Sequence, residues 1–386
     1  MNIGLDANEI LHGERAIRRY TVNLLKSLVP LLHSEDILKP LYFRFRRPKA
    51  EPLTFQGPES LRVKNHIIPL PHRLIQACAQ NTGWPKPDHF LGPLDLFHSP
   101  GLTAFPKGKY PFVVTIHSTA HRHIAGTLNP SYVKWYESFL EWTIKSADYF
   151  ITVSETMKED FVRLYRIPES RVRAIPLGVS DGFREMEPEA SRRKVKERFG
   201  IEKPYLLYVG GIQKNKNIKM LIESFALLKK SYKKELLLVL AGDEAYGSEE
   251  VKDLIREREL KNEVVLTGYV DQDSDDLPAL YHQAKVFWFM SLWEGWASPP
   301  LEAMKCGVPV IASDISPLRE NLGDAAQFCS PEIPEIVAEK TKQILENSAI
   351  TQMWREKGLN HAAPFTWNET AKKTIDFYRE ILSQKL

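Results

Sequence analysis

No stretch of this chain reaches eighteen consecutive apolar residues, which excludes a conventional membrane-spanning helix. The first strand-like run begins at Asn2 without a basic start, a long apolar middle or a cleavage site, so no secretion signal is expected and the cytoplasm is the default location. Cysteine is scarce: Cys78, Cys306 and Cys329 have neither an even count nor metal-ligand spacing, which fits reduced packing thiols rather than a disulfide scaffold. Short-period repeats and low-complexity tracts are missing as well, which argues against solenoids and disordered tails. Nor is there a strong net charge; the formal value is +3.

Within that small total the halves differ. Residues 1–180 carry 23 Lys+Arg against 16 Asp+Glu, a net of about +7, which leaves about −4 for the remainder. Arg44, Arg46, Arg47 and Lys49 cluster in the basic half. Such a cluster suits an anionic membrane surface, with peripheral contact at the inner membrane face, or a phosphate-bearing acceptor, or simply a solvated face. No nucleic acid is expected as a partner.

With 386 residues, 43% hydrophobic and 26% charged, the chain has material for two domains with ordinary cores. Short apolar runs alternate with amphipathic helical patterns throughout, the signature of parallel sheets with crossover helices. In the first half strands are expected over 2–6, 40–45, 63–69, 96–98, 112–116, 149–153 and 172–175. In the second half they are expected over 205–209, 236–241, 264–267, 286–290, 308–312 and 327–329. The helical stretch 218–230 places Leu221, Ile222, Phe225 and Leu228 on one face. These runs imply an α/β architecture with one domain over 1–180, a connection over 181–203 carrying its own helix from Glu189 to Phe199, and a second domain over 204–365.

The most informative segment is Glu294-Gly-Trp-Ala-Ser-Pro-Pro-Leu-Glu302. Proline is tolerated only in a helix's first turn, so Ser298 reads as N-cap, Pro299 and Pro300 as opening positions and Gly307 as C-cap. The unsatisfied amides at such a start attract a phosphate, with one carboxylate before the anion site and the other just inside it. Without its neighbours, Glu302 is equally an ordinary helix-start acid and Glu294 a solvated loop charge. A second anion-binding candidate follows the strand at 205–209, where Gly210 and Gly211 permit close backbone approach and Lys214, Lys216 and Lys219 crowd a helix start. The helix dipole disfavours cations there, so a diphosphate is a plausible compensation, and a frayed, solvated lysine is the bland reading.

The run from Glu294 to Glu302, continued by Ala-Met-Lys-Cys-Gly-Val-Pro-Val-Ile-Ala-Ser to Ser313, resembles the E-x7-E signature of the retaining glycosyltransferases of family 4. The resemblance implies a GT-B fold, two Rossmann-like doubly wound domains facing across a cleft, with the C-terminal helix over 367–386 crossing back to the first. It also implies that Glu294 lies beside the donor sugar, that Glu302 holds the ribose and that Lys216 neutralises the pyrophosphate. Gly210, Gly211, Gly295, Trp296, Ala297 and Ser298 would line the donor, and the loop ending at Val270 would meet the base. Thr115-Ile116-His117-Ser118 is similar to the family's Thr-Val-His-Asp, which implies a His117 contact to the sugar near the reacting carbon. His121 and His123 follow closely, but no metal is expected.

One segment departs from the pattern. Where family members commonly show Gly-Ile-Gly-Arg-Tyr, this chain has Ala16-Ile17-Arg18-Arg19-Tyr20. Either that loop is displaced, or Arg15, Arg18 and Arg19 meet an anionic acceptor group. The resemblance thus implies transfer of a hexose, mannose favoured, from a GDP- or UDP-sugar to a glycan or lipid-linked acceptor hydroxyl in polysaccharide assembly, without a further cofactor. The altered loop motivates one alternative, a degenerate protein that binds nucleotide or glycan without turnover. A nicotinamide-dependent oxidoreductase is disfavoured, since Gly-x-Gly-x-x-Gly is absent after the first strand and Ile212 and Asn215 stand where later glycines belong in the second half.

Overall fold

The computed structural model describes residues 1–13, 15–45, 50–272 and 274–384. Arg46, Arg47 and Lys49 of the basic cluster lie outside the described residues; Arg44 is inside and pairs with Glu51 at 2.8 Å. The chain divides into two compact units, one of residues 1–119, 131–178 and 365–386, the other of residues 120–130 and 179–364.

The first unit is built on a seven-stranded sheet: β1 (Asn2–Asp6), β2 (Ile37–Phe43), β3 (His66–Ile68), β4 (Leu96–Ser99), β5 (Phe112–Ile116), β6 (Tyr149–Thr152) and β7 (Val172–Ala174). Their order is β3-β2-β1-β4-β5-β6-β7, and every pair is parallel. The second unit has β8 (Tyr205–Val209), β9 (Leu237–Ala241), β10 (Val264–Gly268), β11 (Val286–Phe289), β12 (Val310–Ser313) and β13 (Gln327–Cys329). These are again all parallel, in the order β10-β9-β8-β11-β12-β13.

Parallel sheets carry helices on both faces, so their strands read as unbroken apolar runs. Tyr205-Leu-Leu-Tyr-Val209 is buried at every position, as is Phe112-Val-Val-Thr-Ile116. Each sheet reverses its order once, between β1 and β4 in the first unit and between β8 and β11 in the second. Beyond the carboxyl ends of strands at such a reversal, the outgoing loops diverge and leave room for a ligand.

The helix Trp367–Ser383 belongs to the first unit. Thr366 caps it by accepting from the Glu369 amide at 3.2 Å, and Thr370 donates to the Pro176 carbonyl at 2.8 Å. Ala371, Ile375, Tyr378 and Ile381 complete a core shared with Tyr20, Leu24 and Leu28 of the helix Arg15–Leu28. Gly178 is required where the chain meets that cap, since a Cβ there would fall 2.2 Å from the Trp367 amide nitrogen.

Residues 179–203 group with the second unit instead of standing as a separate connection. The helix Pro188–Phe199 is tied to the helix Asp276–Gln283, with Ser191 Oγ 3.0 Å from His282 Nδ1 and Gln283 Nε2 donating to Ser191 Oγ at 2.6 Å. The short segment 120–130, expected inside the first domain, also groups with the second unit, where the His123 ring stacks on Trp293 at 3.6 Å. Cys306 and Cys329 are buried and Cys78 half-buried, all as free thiols, and burial pushes the Cys329 thiol up to about 11. Among the described residues no helix is long and apolar enough to cross a membrane.

Candidate functional site

The reversal in the second sheet brings two loops together. After β8 the chain runs through Gly210 into a short turn, Lys214–Lys216, before the helix Ile218–Ser231. After β11 it runs from Met290 to Glu294 and on into the helix Ser298–Lys305. The Leu292 amide donates to the Asn215 carbonyl at 3.0 Å, which ties the loops. Beside this tie Lys216 Nζ lies 2.5 Å from Glu294 Oε1, with side chains 18% and 12% exposed, and the ammonium sits 5.9 Å from the Phe289 ring centroid. A close approach of neighbouring loops also explains a glycine: a Cβ on Gly242, after β9, would collide with the Gly210 carbonyl oxygen at 1.9 Å.

Three buried polar atoms around this corner, Asn215 Oδ1, Ser291 Oγ and Trp293 Nε1, have no hydrogen-bond partner among the described residues. Buried polar groups are nearly always satisfied, so a cluster of exceptions beside a half-buried ion pair is a corner where a bound polar molecule can supply the missing hydrogen bonds. Sequence reasoning missed all three, because a Ser, an Asn and a Trp in loops carry no pattern of their own.

The two other lysines behave differently. Lys214 and Lys219 both pair with Glu250 of the helix Ser248–Glu257, and together they hold that carboxyl down to about 2. The protein itself therefore supplies the anion expected to offset these cations, and only Lys216 points its charge at the Glu294 corner.

The helix after Glu294 starts one residue earlier than its sequence suggests. Ala297 is the N-cap, with no side-chain cap, Ser298 is the first helical residue, and Cys306 ends the helix with Gly307 following at φ 73°. Pro299 and Pro300 still fall within the first turn, where their missing N–H groups cost nothing. Amides facing an anion must then come from Gly295, Trp296, Ala297 and Ser298. Asn321 Nδ2, fully buried, donates to the Ala297 carbonyl at 3.2 Å and so fixes the direction of this loop's peptide. Glu302 is the fifth helical residue and has no accessible surface; its Oε2 accepts from the Tyr281 hydroxyl at 3.0 Å. Contact between Glu302 and a ribose requires the residues that cover it to move. The Thr267–Asp271 segment, which contains Val270, borders an open depression of about 350 Å³ together with Arg198 and Phe199.

In the first unit, His117 follows β5. Its Nε2–H donates to the Pro100 carbonyl at 2.7 Å and the Tyr20 ring meets it edge-on at 4.8 Å. Burial holds its pKa down to about 4, so the ring is neutral near pH 7 and Nδ1 is a hydrogen-bond acceptor. Beneath it runs a buried relay: Tyr20 and Thr115 hydroxyls at 3.1 Å, Thr115 Oγ1 and His98 Nε2 at 2.9 Å, His98 Nδ1 and the Tyr378 hydroxyl at 2.5 Å. The Ala16-Ile17-Arg18-Arg19 segment forms no loop. It is the opening of the helix Arg15–Leu28, which is what alanine in place of glycine favours, with Arg15 exposed and Arg18 and Arg19 half-buried.

Comparison with known proteins bears on the family and the fold. Residues 17–183 match the model of Glycosyltransferase Family 4, and residues 191–361 match that of the glycosyl transferases group 1. The chain belongs to this glycosyltransferase family, of GT-B fold, with a half of the family's pattern in each unit. It is 29% identical over 248 residues to O-antigen chain mannosyltransferase B of Escherichia coli, a match covering 64% of each chain. It is 27% identical over 259 residues to the serotype-specific mannosyltransferase WbdA of Escherichia coli, covering 66% of this chain but only 31% of that one. The chain thus spans less than two thirds of the length of these relatives. Among solved structures, sucrose-phosphate synthase from Thermosynechococcus elongatus superposes with a TM-score of 0.72 over 100% of both chains at 18% identity, a likeness of fold.

Proposed function

We propose that the protein is a retaining glycosyltransferase that moves a hexose, mannose favoured, from a nucleotide diphosphate sugar to a hydroxyl of a glycan or lipid-linked acceptor. The observation that carries this reading is the Lys216–Glu294 corner at the strand-order reversal, with its three unsatisfied buried polar atoms. In the structure the two charges neutralise one another. An arriving pyrophosphate competes for the Lys216 ammonium and releases Glu294 to accept hydrogen bonds from sugar hydroxyls. As the anomeric C–O bond breaks, its electron pair goes to the diphosphate oxygen. Lys216 and the amides of Gly295, Trp296, Ala297 and Ser298 stabilise that charge where it develops, with no metal ion required. His117, neutral and with Nδ1 an acceptor, offers the first unit a group able to accept a hydrogen bond from a substrate hydroxyl. The mannosyltransferase names of the similar Escherichia coli proteins support mannose and hence a GDP-linked donor.

Incubation with a panel of GDP- and UDP-sugars, in the presence of a chelator, tests the reading. GDP-mannose should be hydrolysed slowly without acceptor and transferred with retained anomeric configuration when a mannosyl acceptor is added. Nucleotide binding with neither hydrolysis nor transfer would establish a binding protein instead. Peripheral contact with an anionic membrane through the first unit is part of the proposal, supported by the charge of the first half and by exposed Leu74 and Trp84 beside Arg73 and Lys86. Failure to sediment with phosphatidylglycerol vesicles at low salt would remove it.

A further inference from the structure

Asn217 holds the N-cap position of the helix Ile218–Ser231, but not as asparagine ordinarily does. N-cap residues are usually extended, and asparagine is among the best of them because its side-chain oxygen accepts from an amide of the first turn. Here the backbone is left-handed, with φ 56° and ψ 40°, and the side chain makes no capping bond. Among the described residues two other non-glycine residues have positive φ, Arg166 and Glu259, and both lie where a helix ends, the common place for that conformation. Asn217 opens a helix with it.

The side chain is engaged elsewhere. Its Nδ2 donates to the Pro331 carbonyl at 2.8 Å, in the loop between β13 and the helix Pro334–Glu346. The preceding turn is pinned as well: the Lys214 amide donates to the Tyr246 carbonyl at 3.1 Å, and the Asn217 amide to the Lys214 carbonyl at 3.0 Å. A left-handed residue with a Cβ persists only where its surroundings over-determine it, and such residues gather at functional sites. The break it makes has a consequence for charge. In an unbroken helix Lys216 and Lys219, three residues apart, would share one face, and Lys219 is paired with Glu250. With the left-handed step between them, Lys216 turns to Glu294 instead.

We propose that Asn217 is a positioning residue: its left-handed turn aims the Lys216 ammonium at the Glu294 corner, and the bond to Pro331 holds that turn in place. The use of this aim in transfer rests on the glycosyl-transfer reading; the aim itself does not. Glycine takes the left-handed conformation freely and alanine does not, so two variants test it. In calorimetric titration of the full chain with GDP and UDP, Asn217→Ala should raise the Kd of whichever nucleotide binds about tenfold, the scale of one charge-assisted hydrogen bond, and Asn217→Gly should stay within about threefold of the parent. On a Lys216→Ala background Asn217→Ala should change nothing further, whereas a merely loosened fold would add its own loss. Lysine-ammonium NMR reads the aim without ligand: the resonance abolished by Lys216→Ala should vanish in Asn217→Ala and persist in Asn217→Gly. A parent-like Kd or an unchanged resonance in Asn217→Ala, equal losses in the two variants, additive losses on Lys216→Ala, or a parent with no resonance that depends on Lys216 would each overturn the proposal. If neither nucleotide binds the parent while the resonance behaves as expected, the aim stands and the donor reading falls.

Discussion

Lys216 and Glu294, 78 residues apart, meet at 2.5 Å where the loops after β8 and β11 come together. A half-buried ion pair of this kind is a poor source of stability, because the desolvation of both charges offsets most of their attraction. It is well suited to being broken by a better partner.

Removing the competitor should separate binding from turnover. Glu294→Gln is expected to tighten binding of free nucleoside diphosphate in calorimetric titration, since Lys216 no longer has to leave a carboxylate. The same change should slow transfer by about 10²–10³-fold, the scale for losing one preorganised electrostatic contact at a reacting centre. Lys216→Ala should slow transfer on the same scale and weaken the nucleotide. Weaker nucleotide binding in Glu294→Gln would show that the pair acts as a unit.

The neighbouring lysines give the contrast. Lys214 and Lys219 are both engaged by the solvent-accessible Glu250, and ion pairs screened by water in this way add little to stability. Glu250→Ala and Lys214→Ala should therefore leave steady-state transfer within about twofold of the parent and barely move the melting temperature. A loss comparable to that of Lys216→Ala would place the phosphate against the wrong lysine.

Acid should destabilise the first unit through its buried imidazoles. Burial holds His98 down to about 3 and His117 to about 4, whereas in the unfolded chain both titrate near 6.5. Below that pH the unfolded state binds protons that the folded state refuses, so their contribution to stability is full above about pH 7 and drains away as pH falls towards 4. Calorimetry from pH 7.5 to 5 should show a falling melting temperature. In His98→Gln the starting value should be lower and the slope shallower; equal slopes would reject the assignment.

Gly178 tests the seating of the last helix. A Cβ at that position would sit 2.2 Å from the Trp367 amide nitrogen and 2.3 Å from the Thr366 carbonyl carbon, both backbone atoms that cannot swing aside. Gly178→Ala should cost about 1–3 kcal/mol or more, the range for an overpacked core, and expose the helix Trp367–Ser383 to limited proteolysis. A melting temperature equal to the parent's would mean that the helix shifts freely.

Where residues failed to disclose their role, the reason is that the partner lies far along the chain. Ser298 looks like a cap because serine caps well, yet capping is decided by backbone dihedrals, and Ala297 at φ −114° takes that place. Nothing local says that Glu250 answers Lys214, or that Asn321 holds the Ala297 carbonyl from 24 residues away. Ala16 and Arg18 stood out only as a departure from a glycine pattern; the helix beginning at Arg15 turns that departure into ordinary helix propensity.

Sequence alone determined the alternation of strand and helix and the residues of the donor loop. Thirteen apolar runs are expected and thirteen strands form among the described residues, because a strand buried on both faces must be apolar at nearly every position whatever its neighbours are. Tertiary structure alone decided which side chains share a corner, which lysine is spent on Glu250, and where each sheet reverses. Those outcomes depend on strand order and on loops from distant parts of the chain converging, and no local propensity encodes either.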